Sequence, residues 1–208
     1  MNQRSYRSTF KRCLDLAFVV LLLPGLLPLG LVIALLIKLG SRGPALIRLK
    51  RLGQSGSTIY QYKFRTMVVN AEKVLEELLS VNEEIRKEYM TTYTIKRGPR
   101  VTRLGRLLRK ISLDEIPQVL NILFGEMSWV GPRPILHREL AMYGDSAEKI
   151  LTVKPGLTGL WQVSGRSRLP YREKVLLDVY YVHHLSLFLD LKIITGTIPA
   201  VLFGDGAV

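Results

Sequence analysis

Apolar and polar positions change rhythm along this chain, and each rhythm predicts a different element. Leu16 to Ile37 carries no charge. As a straight helix this run reaches roughly 33 Å, enough for a bilayer core. Pro24, Gly25 and Pro28 interrupt its middle, and proline removes a backbone donor and clashes with the preceding turn. Arg4, Arg7, Lys11 and Arg12 precede the run; Lys38, Arg42, Arg48, Lys50 and Arg51 follow it. Under the positive-inside rule both flanks belong on the cytoplasmic side. A helix-break-helix hairpin that enters and leaves by one face satisfies both observations. A kinked single span is the alternative, because membrane helices tolerate proline. The run is too long for a cleaved signal peptide, and "LIKLGSRG" has no small-residue cleavage site.

Beyond this segment the period shortens to two. Ile47 and Leu49 alternate with Arg48 and Lys50, Gly53 to Gly56 supplies a turn, and Ile59 to Phe64 is rich in strand formers, predicting a hairpin. The glycines match no GxxxxGK[ST] phosphate loop. Helical spacing then returns over 71–90. Val74, Leu75, Leu78, Leu79 and Ile85 form one face, Asn70 is the expected cap, and the glutamates occupy a solvated face. A further helix is expected from Ser112 to Gly125 and another from Pro170 to His184. Segments 128–134 and 153–166 are dense in Gly and Pro and read as loops and short strands. The mostly apolar stretch 186–203 contains Asp190 and Lys192, which argues against a span and for a helix lying on the membrane surface. The expected fold class is α+β, with residues 1–42 as N-terminal segment and re-entrant membrane hairpin. Residues 43–208 form a cytoplasmic domain with a small β-hairpin, amphipathic helices and an interfacial C-terminal helix.

Charge narrows the partners. The chain of 208 residues carries 30 Lys and Arg against 17 Asp and Glu, a net charge of +13. That favours anionic partners: nucleic acid, phosphorylated small molecules or an acidic membrane face. A single cysteine, Cys13, excludes an internal disulfide. The densest basic run comprises Lys96, Arg97, Arg100, Arg103, Arg106, Arg109 and Lys110, and it leads directly to the acid pair Asp114–Glu115.

Two readings compete for that pair. Ser112-x-x-Glu115 matches a capping box, and acids suit a helix start. Pro117 complicates this, because with Ser112 as N-cap it falls where a bonded N–H is required, whereas with Asp114 as N-cap it costs little. In the second reading the carboxylate projects from the helix end. An ionised Asp can attack phosphorus, a neighbouring Glu can help hold Mg²⁺, and the preceding cations can hold a diphosphate. His183–His184 reads as structural or interfacial, since adjacent histidines point apart on a helix. Trp129 and Trp161 suit a membrane belt, a stacked base or core packing.

"FKRCLDL" (10–16), "YKFRTM" (62–67), "SLDEIPQ" (112–118), "MSWVGPRP" (127–134), "PGLTGLWQVSGR" (155–166) and "LDVYYV" (177–182) occur in order. Together they resemble the bacterial sugar transferase family, the monotopic polyprenyl-phosphate phosphoglycosyl transferases, and most of all the undecaprenyl-phosphate hexose-1-phosphate transferases. The resemblance implies the re-entrant hairpin. It also implies transfer of a sugar 1-phosphate from a UDP-sugar to polyprenyl phosphate, releasing UMP, at the cytoplasmic face of the bacterial inner membrane. By that resemblance Asp114 is the nucleophile and Glu115 helps bind Mg²⁺. Lys63, Arg109 and Arg133 match basic phosphate-contacting positions, Gln162 and Arg166 fall near the nucleotide sugar, and Asp178 matches an acidic position that orients a basic side chain. The implied partners are the UDP-sugar, the polyprenyl phosphate and membrane phospholipid, without nucleic acid; a homodimer is the default oligomer. Larger relatives carry extra membrane helices and another domain ahead of the hairpin, so this chain reads as a small member or a catalytic fragment. The competing reading is a non-enzymatic basic module on the membrane surface that binds anionic lipid or nucleic acid. It accounts for charge and apolar segment but not for the acid pair, Pro-Arg-Pro or the glycine-rich segment.

Overall fold

The computed structural model describes residues 9–92 and 99–202, so Lys96 and Arg97 of the basic run lie outside the described residues. Helix α1 spans Lys11–Gly40 and is unbroken through Pro24 and Pro28. The expected helix-break-helix is therefore replaced by one continuous helix. Its periodicity explains how two prolines are accommodated. Asp15, Val19, Leu26, Gly30, Ile33 and Ile37 fall on one stripe that packs on the rest of the chain, and Pro24 and Pro28 fall on the opposite side. Hydrogen bonds are lost only along the outward face, where nothing is closely packed.

That outward face is apolar. Val20, Leu21, Leu31, Leu35 and Leu39 are all exposed, Leu39 to 75%. By length and composition α1 is the one helix among the described residues apolar enough to cross a membrane. Yet both of its ends are tied to the same domain. Near the start, Arg12 donates to the carbonyls of Ile122 and Leu123. Asp15 accepts from Ser128 Oγ at 2.9 Å and Trp129 N at 3.1 Å, while the Trp129 indole donates to the Asp15 carbonyl at 3.0 Å. Just past the other end, Arg65 donates to the carbonyls of Ser41 and Arg42.

Strands β1 (Leu46–Leu52) and β2 (Thr58–Phe64) form the expected antiparallel hairpin, with Ile47 opposite Lys63 and Arg51 opposite Ile59. The predicted 71–90 helix divides into α2 (Ala71–Val81) and α3 (Glu83–Thr92). The cause is Asn82, whose Oδ1 accepts from Ile85 N at 3.0 Å and so caps a new helix. Asn70, the expected cap, makes no such bond through its side chain. Helix α4 (Arg103–Lys110) is capped by Thr102, which accepts from Gly105 N. It buries Leu108 while leaving Leu107 exposed.

The segment expected to be one helix from Ser112 to Gly125 starts as a 3₁₀ turn over Leu113–Gln118 and becomes helix α5 at Val119–Phe124. Pro117 lies inside the 3₁₀ portion, ahead of the α-helical bonds. Strands β3 (Ser128–Val130) and β4 (Gly156–Thr158) pair in parallel. Helical turns over 137–150 lie between them. Helices α6 (Leu160–Ser164), α7 (Tyr171–His183) and α8 (Leu187–Leu202) complete the chain. Ile193 of α8 is fully buried in a core with Val130, Tyr181 and Leu185, so α8 covers the parallel pair while Phe188, Leu191 and Ile198 face outward. Asp190, read from sequence as a bar to spanning, is buried; it accepts from the Tyr181 hydroxyl at 2.7 Å and pairs with Lys11.

Candidate active site

The site is built on the face of β2 that looks toward the 3₁₀ turn. Successive side chains alternate across a strand, so Ile59, Gln61 and Lys63 share that face. Ile59 packs with Val119 and Ile122. Gln61 Nε2 donates to the buried Gln118 Oε1 at 3.0 Å. Lys63 Nζ reaches Glu115 Oε1 at 2.5 Å and Asp114 Oδ2 at 3.4 Å. One lysine thus meets both carboxylates of the acid pair. Asn121 holds the strand edge: its Oδ1 accepts from Tyr62 N and its Nδ2 donates to the Tyr60 carbonyl.

The capping-box reading of the pair does not survive this geometry. Ser112 sits in the left-handed region at φ 56° and its side chain makes no capping bond. Its Oγ instead accepts from Arg166 Nη2 at 3.1 Å, and Glu115 is turned to Lys63. Asp114 is buried, at 6% exposure, yet it faces cations rather than the apolar core. Arg109, at the end of α4, is within its electrostatic reach and donates to Thr66 Oγ1 at 2.9 Å. For Glu115, burial favours the neutral acid, but Lys63, Arg133 and Arg166 outweigh it and hold the carboxyl below its ordinary range.

Pro132 and Pro134 are buried and Arg133 is exposed between them, so the prolines fix the loop that presents the guanidinium. Gly131 and Gly156 let this loop lie against the second glycine-rich segment. Gly131 N donates to Thr158 O at 3.0 Å and Gly156 N to Pro132 O at 2.8 Å. A Cβ on Gly156 would stand 2.1 Å from Gly131 N, so no side chain fits. The two motifs become one structural unit. Arg133 lies over the Trp161 ring at 5.9 Å and Lys174 over the same ring at 5.0 Å, which makes this indole a cation platform. Lys174 is not signalled by any periodicity or motif; only the packing of α7 against α6 brings it here.

Asp178 lies deeper than expected. It is wholly buried, accepts from Tyr143 Oη at 3.1 Å and touches no open surface. Burial pushes its carboxyl up to about 8, against the opposing influence of Tyr143, Arg133 and Trp161. It stands behind the site as support for Trp161 and Arg133 and is too deep to contact a substrate. Arg166 does reach the site, through Ser112 Oγ and the field it exerts on Glu115, whereas Gln162 Nε2 is turned to the carbonyl of Leu157 at 3.4 Å. Among the described residues, the buried polar atoms without a hydrogen-bond partner are Gln118 Nε2, Trp161 Nε1, Gln162 Oε1, Arg166 Nη1 and Asp178 Oδ1. They lie on the 3₁₀ turn, on the glycine-rich segment and on α7, and each is closed off from solvent. His184 is elsewhere, stacked on Tyr180 at 4.0 Å, and Trp129 clamps α1.

The pattern of bacterial sugar transferases matches residues 6–204. The chain belongs to the bacterial sugar transferase family. This sugar transferase is 45% identical over 197 residues to the exopolysaccharide production protein ExoY of Sinorhizobium fredii, covering 95% of this chain and 87% of that protein. It is 46% identical over 79% of its length to an undecaprenyl-phosphate galactose phosphotransferase of Salmonella typhimurium. It is 42% identical over 99% of its length to a UDP-galactose-lipid carrier transferase of Erwinia amylovora. The chain spans 35% and 43% of those two proteins. As a sugar transferase it is an enzyme, and the reading as a non-enzymatic surface module falls away.

Among the described residues, no group of three His, Cys, Asp or Glu side chains stands together to cage a metal. Mg²⁺ does not need such a cage, since it is commonly held by one or two carboxylates plus phosphate oxygens. The adjacent Asp114 and Glu115, with Glu115 kept ionised, fit that mode.

Proposed function

We propose that this transferase moves a hexose 1-phosphate from a UDP-sugar to undecaprenyl or another polyprenyl phosphate, releasing UMP, as an early membrane step in bacterial glycoconjugate synthesis. The observation that carries this reading is the Asp114–Glu115 pair clamped by Lys63 within a ring of cations. A carboxylate oxygen of Asp114 attacks the sugar-linked phosphorus. The P–O bond to the nucleotide breaks, its electron pair stays on the departing oxygen, and UMP leaves as an anion. The aspartyl phosphosugar then meets an oxygen of the lipid phosphate; the Asp–phosphorus bond breaks and the carboxylate is restored. Lys63, Arg109, Arg133 and Arg166 offset the charge that develops, and they are already in place before reaction. Mg²⁺, held by Glu115 and the donor's phosphate oxygens, would neutralise further charge.

The ties on α1 support placement on one side of the membrane. A helix crossing the bilayer carries its two ends to opposite sides, whereas here both ends hold one domain. The outward apolar face of α1 and the outer side chains of α8 support residence on one leaflet, the cytoplasmic leaflet of the inner membrane by the basic flanks. The lipid phosphate lies at that depth. Extraction of its chain would cost about 0.8 kcal/mol per CH₂, so a site at the headgroup level avoids a prohibitive step.

Radiolabelled UDP-galactose and UDP-glucose, supplied with Mg²⁺ and undecaprenyl phosphate in nanodiscs, should yield UMP and a labelled lipid. Donor-only mixtures quenched in acid should carry the phosphosugar on Asp114 by mass spectrometry. Turnover retained in Asp114→Asn, or label found on another residue, would overturn the assignment.

A further inference from the structure

Arg51 has no role in the reaction as drawn, yet its surroundings single it out. It lies near the end of β1, where Ile47, Leu49 and Arg51 share the sheet face that carries Lys63 and Gln61. The next residue is stitched to the Pro-Arg-Pro loop, with Leu52 N donating to Ile135 O at 2.9 Å. Arg51 is half-buried, and its guanidinium makes one direct hydrogen bond, from Nε to Gln61 Oε1 at 3.3 Å. Among the described residues it forms no ion pair. The nearest acids are occupied: Glu139 accepts from Leu136 N at 2.7 Å and Glu115 is held by Lys63. Burial, reinforced by Arg133 and Arg138 and opposed by the more distant charges of Glu139 and Glu115, lowers its pKa to about 10.

A guanidinium taken partly out of water, with no carboxylate in direct ion-pair contact and two arginines nearby, is a liability in the free protein. Its planar fork, with both terminal nitrogens uncommitted, matches two oxygens of a phosphate. We propose that Arg51 is a phosphate-binding residue which, with Arg133, holds the nucleotide-side phosphate of the donor. This rests on the phosphoglycosyl transfer reading above. Lys63 and Asp114 occupy the position of the attacked phosphorus. Arg51 starts from a backbone position about 13 Å further along the strand pair, so its side chain reaches back from beyond that phosphorus. An in-line displacement sends the leaving oxygen away from the nucleophile, toward Arg51 and Arg133. The electron pair released there meets two cations, and no proton has to move.

Full-length wild type, Arg51→Gln and Arg51→Lys in detergent would be titrated with UMP and, separately, with inorganic pyrophosphate, alongside melting curves of the ligand-free proteins. Arg51→Gln should weaken both ligands at least tenfold and Arg51→Lys less. The ligand-free glutamine variant should melt at or above the wild-type temperature, because an unpaired charge has been removed. Unchanged affinities together with a lowered melting temperature would make Arg51 structural and overturn the proposal while the transferase reading stands. Pyrophosphate affinity lost in Arg51→Gln, with no UDP-sugar turnover by wild type, would keep the phosphate site and overturn the reading instead.

Discussion

Two polar networks in this protein are built alike and finished differently. Where α1 meets the domain, the donors and acceptors are matched. Asp15 takes Ser128 and the Trp129 amide, the Trp129 indole takes the Asp15 carbonyl, and Asp190 takes both Tyr181 and Lys11. Around Asp114 the groups are more open, Arg133 being exposed and Glu115 partly so, cations outnumber acids, and Gln118 and Arg166 retain unmatched atoms. A completed network holds parts together, because breaking it leaves buried groups unsatisfied. The one around Asp114 carries more positive charge than its own acids neutralise, which suits an anionic ligand. The comparison separates anchoring from chemistry without reference to sequence motifs.

The widest gap between the two regions should appear on removing one carboxylate from each. Asp114→Asn should lower UMP release by roughly a thousandfold or more, the scale on which loss of a covalent nucleophile shows, while melting stays near that of the wild type. Asp15→Ala should do the reverse. It strands Ser128 and the Trp129 amide and should cost about 2–3 kcal/mol of stability, with turnover per folded molecule retained. Calorimetry in nanodiscs next to the UMP assay reads both; a stable but inactive Asp15 variant would erase the distinction.

Asp178 sharpens the comparison because it belongs to the layer between. Its folded pKa of about 8 stands above the unfolded value of 3.8. The folded state therefore binds the extra proton, and this contribution to stability is fully present below pH 3.8 and lost as pH rises through about 8. Asp178→Asn keeps an acceptor for Tyr143 and removes the titration. Its melting temperature should fall less than the wild type's between pH 5 and 9; parallel profiles would assign the slope to other groups. The smallest effect belongs to the platform. Trp161→Leu should raise the KM for the UDP-sugar several-fold, corresponding to about 1 kcal/mol of lost cation–π interaction, with Trp161→Phe recovering part. An altered kcat at unchanged KM would place the indole elsewhere in the cycle.

Much of this was readable along the chain. The hairpin and its turn follow from alternation and glycine, α7 from Pro170 at its first turn, and α8 from its mostly apolar content. The acid pair, Pro-Arg-Pro and the glycine-rich segment were all visible as motifs, because short-range chemistry writes itself into adjacent residues. The failures have equally local causes. Asn82 ended one helix and capped the next, a choice made by a side-chain bond that periodicity does not report. Pro117 was absorbed by a 3₁₀ turn, which neither proposed cap position anticipated.

What the sequence by itself determined was the family, the apolar length of α1, the strand hairpin and the adjacency of two acids behind a basic run. Only the tertiary structure decided that both ends of α1 grip one domain, that Asp178 lies beneath the site rather than in it, and that Arg51 and Lys174 join the cations. The physical reason is distance along the chain. Lys63 meets Glu115, Arg166 meets Ser112 and Lys11 meets Asp190 only after folding has buried the surfaces between them, and no local rhythm records which charges will then be neighbours.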